Sequence, residues 1–204
     1  FDNVILESMD VKTEAFAQLF ADYPQHVEEI VRYHLDNVGM SRFEKFRYVY
    51  QQILKKPLSE ERFQQLCDDF SHLVFEPVVA SPFVPGAKEF LERYYRVYDL
   101  YVVSATPQEE MQAIVTARRL DAYFKGVFGS PIKKDEHARR IITEHGYDPK
   151  TVISIGDGLS DYEAARAVGC DFIARVPPGE PNRFNGLLGV RAIIHDLTGI
   201  ETYL

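Results

Sequence analysis

Cysteine is scarce in this 204-residue chain, with only Cys67 and Cys170, far apart and in no metal-binding spacing. That excludes a disulfide-stapled secreted scaffold and a thiolate zinc centre. Free thiols in a reducing compartment, the cytoplasm, are the expectation. Basic residues are also short, 23 Lys and Arg against 31 Asp and Glu, giving a formal net charge of −8. That sign does not suit nucleic acid or an anionic membrane as the main partner. No apolar run approaches the roughly 20 residues of a membrane span. No secretory leader, internal repeat or low-complexity tract is visible. What remains is ordinary: 46 % hydrophobic and 26 % charged residues, enough for one large domain or a core with an inserted subdomain.

The most informative stretch is Thr151-Val-Ile-Ser-Ile-Gly-Asp157-Gly-Leu-Ser-Asp161. Its first half alternates β-branched and small residues, the pattern of a short buried strand, and breaks at Gly156. Ser160 is placed to cap the following helix, with Glu163 completing a capping box. Asp157 then lies at a strand end and Asp161 in the first helical turn, both beyond the carboxyl edge of the sheet where open α/β folds bind ligands. Two carboxylates there, with loop carbonyls and water, make a hard oxygen site suited to Mg²⁺. The plainer alternative is a turn residue beside one that complements the helix dipole.

Elsewhere the pattern divides sharply. From residue 9 to about 75 it is helical: an amphipathic Val11–Phe20, then Val27–Leu35, then a helix capped by Ser41 and running to about Leu54, then one begun by Ser59 and running to about Phe75. Three prolines between Pro77 and Pro85 read as a linker. After it strands alternate with helices. Strands are expected at Leu100–Val103, Gly126–Phe128, Thr151–Ile155, Asp171–Ala174 and, as an edge strand, Ala192–Ile194. The alternation predicts a doubly wound parallel α/β sheet, a Rossmann-like core of residues 1–8 and 80–204, with an all-helical insert of residues 9–79.

Other pieces carry chemistry only in combination. Ser104 follows a strand, and Thr106-Pro107-Gln108-Glu109 reads as a helix start. The Ser104 hydroxyl with the Ala105 and Thr106 N–H groups would make an anion site, against the plainer reading of an ordinary turn. Lys133 or Lys134, before the next helix, would reach a phosphate or carboxylate unless both are solvated surface charges. Arg42 and Lys45 share one face of the helix begun by Ser41 and are candidates for the far end of an anionic substrate, with surface charge as the alternative. His34 is a weaker candidate. His137 and His145 read as surface residues, and Tyr94, Tyr95, Tyr98 and Tyr101 as core.

The order Asp2, Ser104, Lys134, Asp157 with Asp161 resembles the haloacid dehalogenase superfamily of phosphatases and phosphotransferases. The helical insert looks like the cap of its phosphoglycolate phosphatase and β-phosphoglucomutase branch. The resemblance implies a Mg²⁺-dependent phosphatase acting on a small phosphorylated metabolite through an aspartyl phosphate, with a phosphomutase as alternative and a monomer or homodimer as assembly. Ser104 and Lys134 would bind the phosphoryl group, with Lys133 as fallback. Asp157 would hold the metal directly and Asp161 through water. The family's first motif reads Asp-x-Asp-Gly-x-x-x-Asp/Glu-Ser. Asp2 to Ser8 match it from the second Asp, with Asn3 at the Gly position. This makes Asp2 the general acid/base and its carbonyl a metal ligand. It also places the nucleophile just before Phe1 and the central strand further upstream, so the polypeptide is expected to extend in that direction. A non-catalytic binding protein is the reading if that upstream residue is not Asp.

Overall fold

A computed structural model describes all residues, Phe1–Leu204. Four helices come first: α1 (Met9–Leu19), α2 (Val27–Asp36), α3 (Arg42–Tyr48), which runs into a π-helical turn over Val49–Ile53, and α4 (Glu60–Ala80). Ser41 and Ser59 cap α3 and α4, accepting the N–H of Phe43 and of Arg62, as their positions predicted. The helix α4 passes through Pro77, where a linker was expected, and ends at Ala80. Proline costs one helical hydrogen bond. The apolar face of Phe63, Leu66, Phe70, Val74 and Val78 is buried without interruption across that point, and this burial outweighs the loss.

The remainder alternates: α5 (Ala87–Tyr94), β1 (Tyr101–Pro107), α6 (Gln108–Ala117), β2 (Gly126–Ser130), α7 (Lys134–His145), β3 (Ile153–Gly156), α8 (Leu159–Val168), β4 (Asp171–Arg175) and β5 (Val190–Ile194). Every strand pairing is parallel, as crossover helices require. The strands form two groups, β1-β2 and β3-β4-β5, and β1 makes no ladder with β3. The fold class is therefore the expected α/β one, with the sheet in two parts. Val4, Ile5 and Leu6 are buried in the same apolar cluster as the helical segment and the strands, Phe16, Phe46, Phe70, Val102 and Ile173 among them. No helix is long and apolar enough to cross a membrane.

Four local expectations are corrected. Thr106 is not a helix cap: β1 continues to Pro107 and α6 begins at Gln108, because Thr106 is buried on the same strand face as Val102 and Ser104. Ser160 does not cap α8: Gly158 holds that position, and Asp161, not Glu163, accepts its N–H. His137 is buried, hydrogen-bonded to the Gly129 carbonyl at 2.9 Å and packed near the Phe128 ring. Its place on α7 faces the end of β2, where Phe128 and Gly129 receive it. Tyr98 is exposed, since α5 ends before it and leaves it past the apolar face.

Candidate active site

One cleft, with a free volume of about 80 Å³, collects most of the residues singled out in the sequence. Its walls come from the ends of β1 and β3, from the loop holding Asp2, and from the helical segment above. Ser104 sits on the buried face of β1, where strand alternation puts Val102, Ser104 and Thr106 on one side. The Ser104 hydroxyl oxygen accepts the Thr106 N–H at 3.1 Å. That N–H is therefore not free to meet an anion, as was expected, whereas the Ser104 proton remains to be donated.

Asp2 is held by three partners. Ser8 and Thr106 donate hydroxyl hydrogen bonds at 2.7 and 3.2 Å, and Lys12 forms an ion pair. Burial alone would raise this carboxyl, but Lys12 and the hydrogen bonds overcome it and hold it well below the usual carboxylate range. Asn3 takes the left-handed conformation, φ 52°, which asparagine tolerates better than most side chains and which fits it to a glycine position. The loop is anchored from behind by Arg175, buried on β4, which donates to both Glu7 oxygens at 2.6 and 3.0 Å and to the Asn3 carbonyl at 3.1 Å.

Across the cleft, Lys134 donates to Asp161 at 2.8 Å and to Ser160 at 3.0 Å. Lys133 is exposed at the start of α7, and of the two lysines Lys134 lines the cleft. Asp157, immediately after β3, lines the same cleft and accepts no hydrogen bond. Burial, then the neighbouring Asp161, push its carboxyl up to about 6.

Arg42 is buried, which excludes the surface-charge reading. It lines the cleft, but its guanidinium is already engaged: both Glu110 oxygens at 2.6 and 2.8 Å, Ser71 at 2.8 Å, and the Phe70 ring beneath it at 4.5 Å. Lys45 is buried as well, and its partners are the carbonyl and Nδ1 of His34, each at 3.1 Å. Burial, then the positive charge of Lys12, bring it down to about 7.

The charges around this cleft pair off, with two exceptions. Lys12 pairs with Asp2, Lys134 with Asp161 and Arg42 with Glu110. Asp157 is the carboxylate left without a cation, and Lys45 the cation left without a carboxylate.

The model of the haloacid dehalogenase-like hydrolases matches residues 1–175. The chain belongs to that family. A phosphoglycolate phosphatase of Haemophilus influenzae (strain 86-028NP) is 30 % identical over 122 residues, 56 % of this chain and 54 % of that protein, so the match spans about half the relative's length. Among solved structures, CbbY from Rhodobacter sphaeroides in complex with phosphate shares the fold at a TM-score of 0.72, with 16 % identity over 98 % of this chain and 92 % of that one. YfnB from Bacillus subtilis bound to magnesium does so at 0.71, with 17 % identity over 99 % and 94 %.

No group of three or more acidic, His or Cys side chains lies at metal-holding distances. The Asp2 main-chain carbonyl accepts no hydrogen bond. The donor set open to a divalent cation is thus the unpartnered Asp157 carboxylate, the Asp2 carbonyl and, once detached from Lys134, Asp161. All are oxygen and the set carries excess negative charge at Asp157, so it fits a hard cation. Lys12, Glu110 and Arg175 escaped the sequence reading. Each was an ordinary charge on an expected helix or strand, and its partner lies 10, 68 or 168 residues away.

Proposed function

We propose that this hydrolase cleaves the phosphomonoester of a small metabolite with the help of Mg²⁺ held at Asp157. In this reading residues 1–8 and 80–204 form the catalytic core and residues 9–79 the cap over it. The observation that carries it is the Asp157 carboxylate, without a cation partner, in one cleft with Ser104 and Lys134: an oxygen ligand for a cation beside donors for an anion. The solved relatives bound to magnesium and to phosphate and the phosphoglycolate phosphatase relative support it.

The chain's own residues would act as follows. Ser104 would donate a hydrogen bond to one phosphoryl oxygen and the Lys134 ammonium would face another, stabilising charge as it develops. A bound Mg²⁺ supplies further neutralisation of the phosphoryl oxygens. In the family pattern the attacking carboxylate stands two positions before Asp2, and the product of its attack is an aspartyl phosphate. Asp2, ionised here, is poised to take the proton of the water that hydrolyses this intermediate. Protonating the leaving oxygen in the first step requires Asp2 to gain a proton, which Lys12 opposes.

The test is phosphate release by the full polypeptide containing these residues from phenyl phosphate and from sugar, nucleotide and glycolate phosphates, with and without Mg²⁺. Release that depends on Mg²⁺ and is abolished by Asp157→Asn is expected. Wild-type rates in that variant would overturn the metal assignment. Sugar phosphate isomerisation without phosphate release would favour a phosphomutase.

A further inference from the structure

The uncompensated cation in the cleft has a companion. His34 is 4 % exposed and Lys45 3 % exposed, and both line the cleft. The Lys45 ammonium can only donate, so Nδ1 of His34 is the acceptor in their 3.1 Å contact. The imidazole proton then resides on Nε2, and Nε2 is buried with no hydrogen-bond partner. The ring is fixed by Phe16, whose centroid is 4.2 Å away. Lys45 spends one proton on Nδ1 and one on the His34 carbonyl and stands 5.6 Å from the Phe16 ring centroid, so no carboxylate meets its charge. A buried donor without an acceptor and a buried charge without a counter-charge therefore share the same wall. Buried polar groups are ordinarily satisfied, and a buried charge ordinarily has a counter-charge. Arg42 cannot fill the role foreseen for it, because Glu110 already cancels its charge.

Resting on the hydrolase reading above, we infer that Lys45 and His34 together receive a carboxylate on the non-reacting end of the substrate, Lys45 by charge and His34 through its Nε2–H. The substrate class is then a small phosphorylated hydroxy acid. His34 is a specificity-determining residue, and the ion-paired Arg42 is part of the wall.

The probes are 3-phosphoglycerate and glycerol 3-phosphate, which differ by a carboxylate in place of a hydroxymethyl group. Binding to the full polypeptide is measured by calorimetry, and turnover by phosphate release. Wild type is expected to favour 3-phosphoglycerate in both readouts. Lys45→Met and His34→Phe, the latter keeping an aromatic ring against Phe16, are each expected to cut that preference by roughly tenfold, the scale of a hydrogen bond to a charged group. In turnover the loss falls on KM rather than kcat. Absence of a wild-type preference in binding, or equal losses for both probes in both variants, overturns the inference. Absence of phosphate release from either probe, with the binding preference intact, counts against the hydrolase reading and upholds the carboxylate receptor.

Discussion

Arg42 at the start of α3 and Glu110 on α6 clasp each other with two hydrogen bonds, 2.6 and 2.8 Å, tying the helical segment to the α/β part. Both side chains are nearly fully buried, so neither charge is screened by solvent. Removing one partner leaves the other buried and unpaired, the costly way to break such a pair. Glu110→Leu is expected to lower stability by about 3 kcal/mol. The double variant Arg42→Met with Glu110→Leu should recover much of that loss, since an apolar pair tolerates burial. Urea unfolding of Arg42→Met, Glu110→Leu and the double variant checks this. Additive losses would mean that the two charges do not act as a pair.

Asp157 makes a prediction of opposite sign. Its carboxyl is raised from the ordinary 3.8 to about 6. Between those values the folded state holds more protons than the unfolded one, so stability falls as pH rises through this window. In metal-free buffer Asp157→Asn should therefore be more stable than wild type at pH 7, by on the order of 1–2 kcal/mol, with the gain vanishing near pH 4. Mg²⁺ should raise the melting temperature of wild type and leave that of the variant where it was. A variant less stable at both pH values would remove Asp157 as the strained carboxylate.

Much of this was legible from local pattern. Ser41 and Ser59 announced their helices, and the alternation of β-branched and small residues announced β3. The order of Asp2, Ser104, Lys134, Asp157 and Asp161 brought together residues that do share one cleft. What could not be read were the partners. Thr106 looks like a cap beside Pro107, but burial of its side chain and its bond to Asp2 keep it in the strand. Lys12 looks like the polar face of an amphipathic helix, Glu110 like a first-turn acid, Arg175 like a strand-end charge. Pairing of charges across 10 to 168 residues depends on how whole elements dock, and no spacing rule encodes it. The same blindness made Arg42 look like a free cation.

Lys12 sets the state of Asp2. With Lys12 present the carboxyl stays ionised far into acid. Lys12→Met removes the strongest lowering influence and leaves burial, which acts upward. If Asp2 is the base of the hydrolytic step, the acid limb of the pH–rate profile should move to higher pH in the variant, the Ser8 hydrogen bond limiting the shift. Lys12→Arg, which keeps the charge, should restore the wild-type profile. A profile unchanged in Lys12→Met would detach Asp2 from proton transfer.

Lys45 gives the clearest pH signature. Its ammonium falls from the ordinary 10.5 to about 7, burial being the main cause. Below pH 7 both folded and unfolded chains carry the proton, and the folded state bears the full cost of a buried charge. Between pH 7 and 10.5 the unfolded chain binds more protons, so stability rises with pH and the cost fades. Lys45→Met is accordingly expected to raise the melting temperature at pH 6 and to lose that advantage by about pH 10. Its volume is close enough to lysine's apolar stem to fill the same space against Phe16. Differential scanning fluorimetry across pH, repeated with saturating 3-phosphoglycerate, separates the two contributions. The ligand should shrink the pH 6 difference by supplying the missing counter-charge. A Met variant less stable than wild type at pH 6 would mean that the contact of Lys45 with His34 compensates for its burial.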